Sequence, residues 1–437
     1  MESGPSRDLL IVFTRYPQPG RAKTRLIPVL GAEQAAALQR KMTEHIIGVA
    51  RCLAARNQVR IEIRFDGASE SKMRHWLGPG LQFRPQGEGD LGDRIARGFD
   101  AAFSTGCRRV VVIGTDSPEL DASLLAEGFA ALEGADLVLG PARDGGYYLM
   151  GLNRPAPELF RGIAWGTEHV LSATLASAVR LGLRHTLLSP LDDVDRPTDL
   201  PVWERVRRRA STLAVIVPTL NEAAHLTATL KRVLEEGPEQ VIVADGGSGD
   251  GTVELAQAAG VQVISAPRGR GRQLNAGAKV AAAATLLFLH ADTLPPAGYR
   301  ELVGRTLADP KIVAGAFTFS IREPMRHRRL VEWLVAVRCR IRQSPYGDQG
   351  LFVRRDLFEA VGGYPDWPLL EDVEILRRLR PHGRLAIAPA AASTSGRRWL
   401  ARGVWSTLWL NQRILLGYHR GVPVEELARK YTSAPDS

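Results

Sequence analysis

The chain has 437 residues, 45% of them hydrophobic and 24% charged, a globular composition with room for two or three domains at roughly 100–200 residues each. Three cysteines, Cys52, Cys107 and Cys339, stand far apart with no C-x-x-C pairing, which excludes a disulfide scaffold and a structural zinc site. The formal charge of +10 points to an anionic partner, while zinc-finger spacing, RNA-recognition aromatics and basic zippers are missing, so nucleic acid is not expected.

The polar start MESGPSRDLLIVF runs straight into strand-like sequence, with no secretory pattern and no apolar run of the roughly 18 residues a membrane span needs. With so little cysteine, the expected location is cytoplasmic. The run Leu9 to Phe13 reads as a first strand, followed by the Pro/Gly-rich loop TRYPQPGRAKTRL. Arg15, Arg21, Lys23 and Arg25 give that loop four cations, suited to a diphosphate or triphosphate or simply to solvent. It is no Walker loop, because G-x-x-x-x-G-K-[ST] is missing.

A helical stretch (AEQAAALQRKMTEHIIGVARCLAA) leads to the alternating strand VRIEIRF, then to the buried run VVVIG ending on Thr115-Asp116-Ser117-Pro118. Asp116 at that strand end, with Asp195 arriving in LDDVDRPTDL, could form a two-carboxylate site for Mg²⁺ or Mn²⁺. Asp144 and Tyr147 lie in the glycine-rich turn RDGGYYLMGL, placed either to touch a substrate or to brace the turn.

WERVRRRAST reads as a helix end and a short linker, with domains expected at 1–200 and 213–432, a linker at 201–212 and a disordered tail at 433–437. The pattern then restarts with LAVIVPTLNE, a helix, QVIVADGGSGDGT, a further helix, VQVISAP and LLFLHADT. Short apolar runs alternating with helical periods indicate a mostly parallel sheet in each half. In both halves a strand ends on an acid, Asp116 and Asp292, and ligands of open α/β sheets bind outside the carboxyl ends of strands.

Asp245 at a strand end can accept from a base or a ribose, and the glycines after it permit close approach, although DGGSGDGT is also an ordinary β–α turn. Asp292, expected exposed at its strand tip, could hold Mg²⁺ or Mn²⁺ against a leaving diphosphate, or cap a helix; His290 could face the same cleft. Glu371 and Asp372 open an amphipathic helix, where acids also complement the helix dipole. The stretches 321–344 and 397–421 mix arginine with tryptophan at near-helical spacing. The first reading is helices that close an acceptor pocket; peripheral contact with anionic lipid is the second.

Two resemblances follow. The strings PTLNE, ADGGSGDGT, GRGRQLNAGA, LFLHADT, YGDQGLFVRR and PLLEDVE make residues 212–432 similar to a family 2 glycosyltransferase of GT-A fold, in the branch linked with arsenosugar biosynthesis and radical-SAM/selenium-domain gene clusters. Residues 8–200 resemble the companion transferase family of those clusters, and through RAKTRL, GTDSP and DVDRPTDL also the 2-phospholactate guanylyltransferases and molybdenum-cofactor nucleotidyltransferases.

The resemblance implies two tandem GT-A-like α/β domains and inverting sugar transfer from a nucleoside diphosphate donor to a small hydroxyl acceptor. Pro218, Glu222 and Asp245 would hold the nucleoside, Arg272 would lie near the phosphates, and Asp348 and Gln349 would contact donor or sugar. Asp292 would ligate the metal and Asp372, beside Glu371, would be the general base. The family's D-x-D reads His290-Ala291-Asp292 here, so only the second acid is retained. The first half would take a nucleoside triphosphate and a sugar 1-phosphate, or act as a non-catalytic nucleotide-binding module; the rival for the whole chain is a membrane-surface binding protein.

Overall fold

The computed structural model describes residues 7–342 and 345–432. The tail at 433–437 lies outside them. The chain divides into two compact units, Met1–Arg208 and Arg209–Ser437. Much of the stretch expected as a linker is helical, Leu200–Ala210, and the division falls inside that helix.

The first unit holds strands β1 (Asp8–Arg15), β2 (Arg60–Asp66), β3 (Gln82–Pro85), β4 (Arg109–Ile113), β5 (Leu137–Pro141), β6 (Tyr147–Leu152) and β7 (His185–Leu187). They form one sheet in the order β3-β2-β1-β4-β6-β5-β7. β3, β2, β1 and β4 run parallel, whereas β6 is antiparallel to both neighbours.

The second unit holds β8 (Leu213–Thr219), β9 (Gln240–Asp245), β10 (Gln262–Ser265), β11 (Thr285–Phe288), β12 (Thr293–Leu294), β13 (Ile312–Ile321), β14 (Leu351–Arg354) and β15 (Arg384–Thr394). Their order, β10-β9-β8-β11-β14-β13-β15-β12, repeats the plan of the first sheet: four parallel strands, then one antiparallel strand. Antiparallel pairings also join β13 to β14 and β12 to β15, so this sheet is mixed. The long strands β13 and β15 lack the uniform apolar run that marks a buried strand, and neither is legible from periodicity alone.

Helices cover both sheets by ordinary amphipathic spacing. In helix Ala223–Leu234, Leu226, Leu230 and Val233 recur at helical intervals and pack on Val215 and Val217 of β8. In helix Leu91–Ser104, a reciprocal Asp90–Asp93 cap fixes the start, and Ile95, Phe99 and Ala102 meet Ile11, Val110 and Val112.

β2 departs from its pattern. The alternation in VRIEIRF predicts one solvated face, yet Glu62 and Arg64 are as buried as Ile61 and Ile63. The side chains Glu62 and Arg64 satisfy each other at 2.8 Å, and Arg84 of β3 reaches Glu62 at 3.1 Å. Removing one member of a buried pair strands the other. Arg64→Ala would leave buried Glu62 with only the half-exposed Arg84, and is expected to destabilise the first unit by about 3 kcal/mol, seen as a lower urea midpoint.

Candidate active sites at the carboxyl edges of the two sheets

In the second unit the loops after β8 and β9 are stapled together. Asp245 Oδ2 accepts from the backbone N–H of Gly247 at 2.8 Å and of Ser248 at 2.9 Å, while its Oδ1 accepts from Thr219 Oγ1 at 3.0 Å. Burial alone would raise this carboxyl, but the bonds from Ser248, Gly247 and Thr219 outweigh it and hold it below its usual range. Ser248 Oγ in turn accepts from Asn221 N–H at 2.8 Å, and Thr252 Oγ1 from Glu222 N–H at 2.9 Å. The acid expected to bind nucleoside is thus spent on shaping the loop and does not line the cavity.

That cavity, about 510 Å³, opens beyond β8 and β11 and gathers Pro218, Glu222, Asp292, Asp348, Glu371 and Asp372 from four segments of the chain. Asp292 is not exposed at its strand tip as the sequence predicts. It is nearly buried, because Arg397 lies against it at 3.2 Å and also pairs with Glu222, its Nη1 at 3.0 Å. One guanidinium therefore neutralises two carboxylates that approach from different strands. His290 lines the same wall, and Gly347 passes so near it that a Cβ there would lie 2.7 Å from its Nε2.

Glu371 and Asp372, adjacent at the start of helix Glu371–Leu379, divide their work. Glu371 is buried and pairs with Arg270 at 3.0 Å, which holds that guanidinium at the cavity. Asp372 accepts from Gly347 N–H at 3.1 Å and from Val373 N–H at 2.8 Å, and its carboxylate still borders the cavity.

Two further expectations are corrected. Arg272 pairs with Asp366 outside the cavity, and Arg270 takes the inward place; two residues apart on one helix lie about 200° apart around its axis, so only one can face in. Gln349 is buried as a brace, donating to Phe317 O at 2.9 Å and accepting from Arg338 at 3.2 Å. Arg397 and Arg338 were missed. Their signal is only the arginine-rich sequence around them, which gives no direction for the side chain.

In the first unit a larger cavity, about 1420 Å³, lies at the corresponding edge, lined by Arg25, Asp116, Asp144, Tyr147, Asp193 and Asp195 among others. Asp116 and Asp195 do meet, but around a protein cation: buried Lys23 reaches them at 2.7 Å and 2.8 Å and donates to Val194 O at 2.7 Å. Burial would lower the Lys23 ammonium; the two carboxylates reverse this and hold it above its usual value.

The expected metal pair is therefore already bridged by an ammonium. Among the described residues, no three His, Cys, Asp or Glu side chains converge as a ready metal shell in either unit. Arg21 is exposed and away from the cavity. Asp144 Oδ1 accepts from Gly146 N–H at 2.9 Å, bracing its own turn, and the Tyr147 ring meets Trp165 edge-on at 6.4 Å.

Backbone strain marks the same places. Of the five non-glycine residues with positive φ among the described residues, Lys23 (48°) is itself the bridging cation, Asn221 (57°) precedes Glu222, and Leu370 (66°) precedes Glu371. Such conformations persist only where surrounding contacts impose them.

Residues 214–358 match Glycosyl transferase family 2, and residues 49–167 match the family described as Uncharacterized protein conserved in bacteria (DUF2064). A crystal structure from Desulfovibrio desulfuricans G20, described as a "putative nucleotide-diphospho-sugar transferase", is 34% identical over 46% of this chain and 88% of its own, with a TM-score of 0.44. Phosphoenolpyruvate guanylyltransferase of Chloroflexus aggregans is 28% identical over 179 residues, 40% of this chain and 88% of the relative. Glucosyl-3-phosphoglycerate synthase of Mycobacterium tuberculosis, solved with Mn²⁺, UDP and glucosyl-3-phosphoglycerate, is 21% identical over 48% of this chain and 81% of its own, with a TM-score of 0.37.

Both units have the GT-A plan, a sheet with a polar cavity at its carboxyl edge, which is where open α/β sheets bind their ligands. The chain is a glycosyltransferase with a family 2 domain at residues 214–358, preceded by a nucleotidyltransferase-like domain.

One carboxyl in the first cavity yields a pH prediction. Burial, with Asp116, Asp144 and Asp195 nearby, lifts Asp193 from 3.8 to about 7, although Ser117 donates to it. The native state then keeps a proton that the unfolded chain releases. The stability this supplies is complete below about pH 4 and is lost as pH rises to about 7. Asp193→Asn keeps the acceptor for Ser117 and removes the ionisation. Thermal unfolding should show it more stable than the parent at about pH 8, with the difference vanishing towards about pH 4.

Proposed function

We propose that the second unit transfers a sugar, with inversion, from a nucleoside diphosphate donor to a hydroxyl of a small-molecule acceptor. The observation that carries this reading is the convergence of Pro218, Glu222, Asp292 and Asp372 on one cavity at the carboxyl ends of β8 and β11. Pro218 and Glu222 would border the nucleoside, with Asp348 near the donor sugar. The guanidinium groups of Arg268, Arg270 and Arg397 line the cavity and suit the diphosphate charge.

Asp292 already accepts one cation, Arg397, and a lone carboxylate with phosphate oxygens suits Mg²⁺ or Mn²⁺. When bound there, such an ion would neutralise charge on the leaving diphosphate. Asp372 would take the proton of the acceptor hydroxyl as its oxygen attacks the anomeric carbon and the bond to diphosphate breaks. Its two backbone donors keep its carboxylate turned to the cavity. Trp399, Leu408, Ile414 and Leu415 line the acceptor side and exclude competing water.

For the first unit we propose nucleotidyl transfer: a phosphate oxygen of a sugar 1-phosphate attacks the α-phosphorus of a nucleoside triphosphate, and pyrophosphate leaves. The guanylyltransferase relative and the cavity cations Arg25, Arg94, Arg143 and Arg196 support this. The Lys23 bridge favours the second reading, a non-catalytic nucleotide-binding module.

Two assays separate these readings. Mg²⁺- or Mn²⁺-dependent release of nucleoside diphosphate from a panel of nucleotide sugars should occur with one donor, vanish in Asp292→Ala and persist in Asp116→Ala. Asp372→Asn should lose about 10²–10⁴-fold in transfer, the range of general-base assistance. The acceptor panel includes arsenic- and selenium-containing small molecules, because of the gene-cluster resemblance. Undiminished release by Asp292→Ala would sink the sugar-transfer site as drawn. Pyrophosphate release from GTP or other triphosphates, with sugar 1-phosphates or phosphoenolpyruvate, should be lost in Asp116→Ala. Failure with every pair leaves the first unit as a binding module.

A further inference from the structure

The helices Arg328–Arg342 and Val404–His419 share one hydrophobic cluster, to which the first gives Val331, Val335 and Cys339 and the second Val404 and Leu408. Their inner faces also supply Leu334, Val335, Leu408 and Leu415 to the cavity. Their outer faces are the opposite of what a solvated surface needs. Trp333 is 60% exposed, and Trp405 and Trp409 are each 64% exposed. On the second helix Trp405, Trp409 and half-exposed Leu416 fall within about 40° of one another around the axis, an apolar stripe interrupted by Gln412. Just before the first helix, the His327 ring meets Trp405 of the second at 6.1 Å.

Arginine frames that stripe. Arg413 lies over the Trp409 ring, 5.2 Å from its centroid, and Arg420 is exposed one turn beyond Leu416. On the first helix Arg329 and Arg340 are exposed one and two turns from Trp333, on its side of the helix. From 397 to 424 the sequence contains five arginines and neither aspartate nor glutamate. The one acid of the first helix, Glu332, is turned inward onto Arg328 at 2.9 Å and Ser320 at 2.9 Å.

We propose that this face docks the protein on a lipid bilayer carrying anionic headgroups. Tryptophan rings are favoured at the headgroup level, where one edge is apolar and the other wet, and arginines beside them meet lipid phosphates. Charge decides the occupant. A two-fold pairing would lay this arginine-framed, nearly acid-free patch against an identical one, and like charges would oppose it. A negatively charged lipid surface complements it. No helix among the described residues is long and apolar enough to cross a membrane, so the contact is peripheral. The docking is independent of which sugar, if any, the cavity transfers.

The test is sedimentation of the full chain with vesicles of equal parts phosphatidylglycerol and phosphatidylcholine, against pure phosphatidylcholine. Binding to the anionic vesicles only, weakening as salt rises and accompanied by a blue shift of tryptophan emission, is expected. Trp333→Ser/Trp405→Ser/Trp409→Ser should lose at least tenfold in partitioning, and Arg413→Gln/Arg420→Gln about fivefold for each charge removed. All five side chains are exposed and outside the cavity, so circular dichroism and melting temperature should match the parent. No sedimentation with anionic vesicles at low salt overturns the proposal, as does a triple tryptophan variant that binds like the parent. A parent that self-associates while the triple variant is monomeric would assign the face to a second copy and equally overturn it.

Discussion

The second unit depends on the grip of one guanidinium on two carboxylates. Glu222 stands just after β8, Asp292 just after β11, and Arg397 arrives from beyond β15, so a single side chain ties three distant parts of the chain at the cavity. Two carboxylates this close would repel each other unless a cation lay between them, and neither is solvated enough to rely on water. The helices that follow Arg397 are therefore joined electrostatically to the loops after β8 and β11. Any ligand that changes the charge at Glu222 and Asp292 must alter this tie.

The first unit solves the same problem with a different residue. Lys23, at a strained positive φ, enters from the loop after β1 and sits between Asp116 after β4 and Asp195 near the end of the unit. Both sheets share a strand plan, and both place a basic side chain between two acids at the carboxyl edge. An open α/β sheet concentrates loops and acids at that edge, and a buried acid pair requires a cation whether or not a substrate is present. The shared device thus follows from the architecture, without requiring the two units to do the same chemistry.

Much of the fold was legible because burial leaves a periodic trace. The parallel strands β1, β4, β8 and β11 are uninterrupted apolar runs, and helices such as Ala223–Leu234 repeat apolar residues at helical spacing. β13 and β15 were not legible, since IVAGAFTFSI and RLAIAPAAAST mix small, polar and apolar residues. β2 was legible as a strand but not as a buried one, because its polar residues are neutralised by each other and by Arg84, a partner that only pairing brings near. Among the site residues, the acids after strands were found by position. The cations that face them were not, since Arg270 and Arg272 are indistinguishable in sequence and Arg397 acts across 175 residues.

By itself, the sequence determined the chemical inventory and its approximate places: two α/β halves, acids at strand ends, glycine-rich turns, and arginine with tryptophan towards the end. Those properties are local, set by a few neighbouring residues and the period of a helix or strand. Tertiary structure alone decided which inventory members act together. It turned Asp245 and Gln349 inward as braces, drew Lys23 and Arg397 between their acids, and left Trp333, Trp405 and Trp409 facing outward. The reason is that charge neutralisation and burial are properties of three-dimensional neighbourhoods, and those neighbours come from segments far apart in the chain.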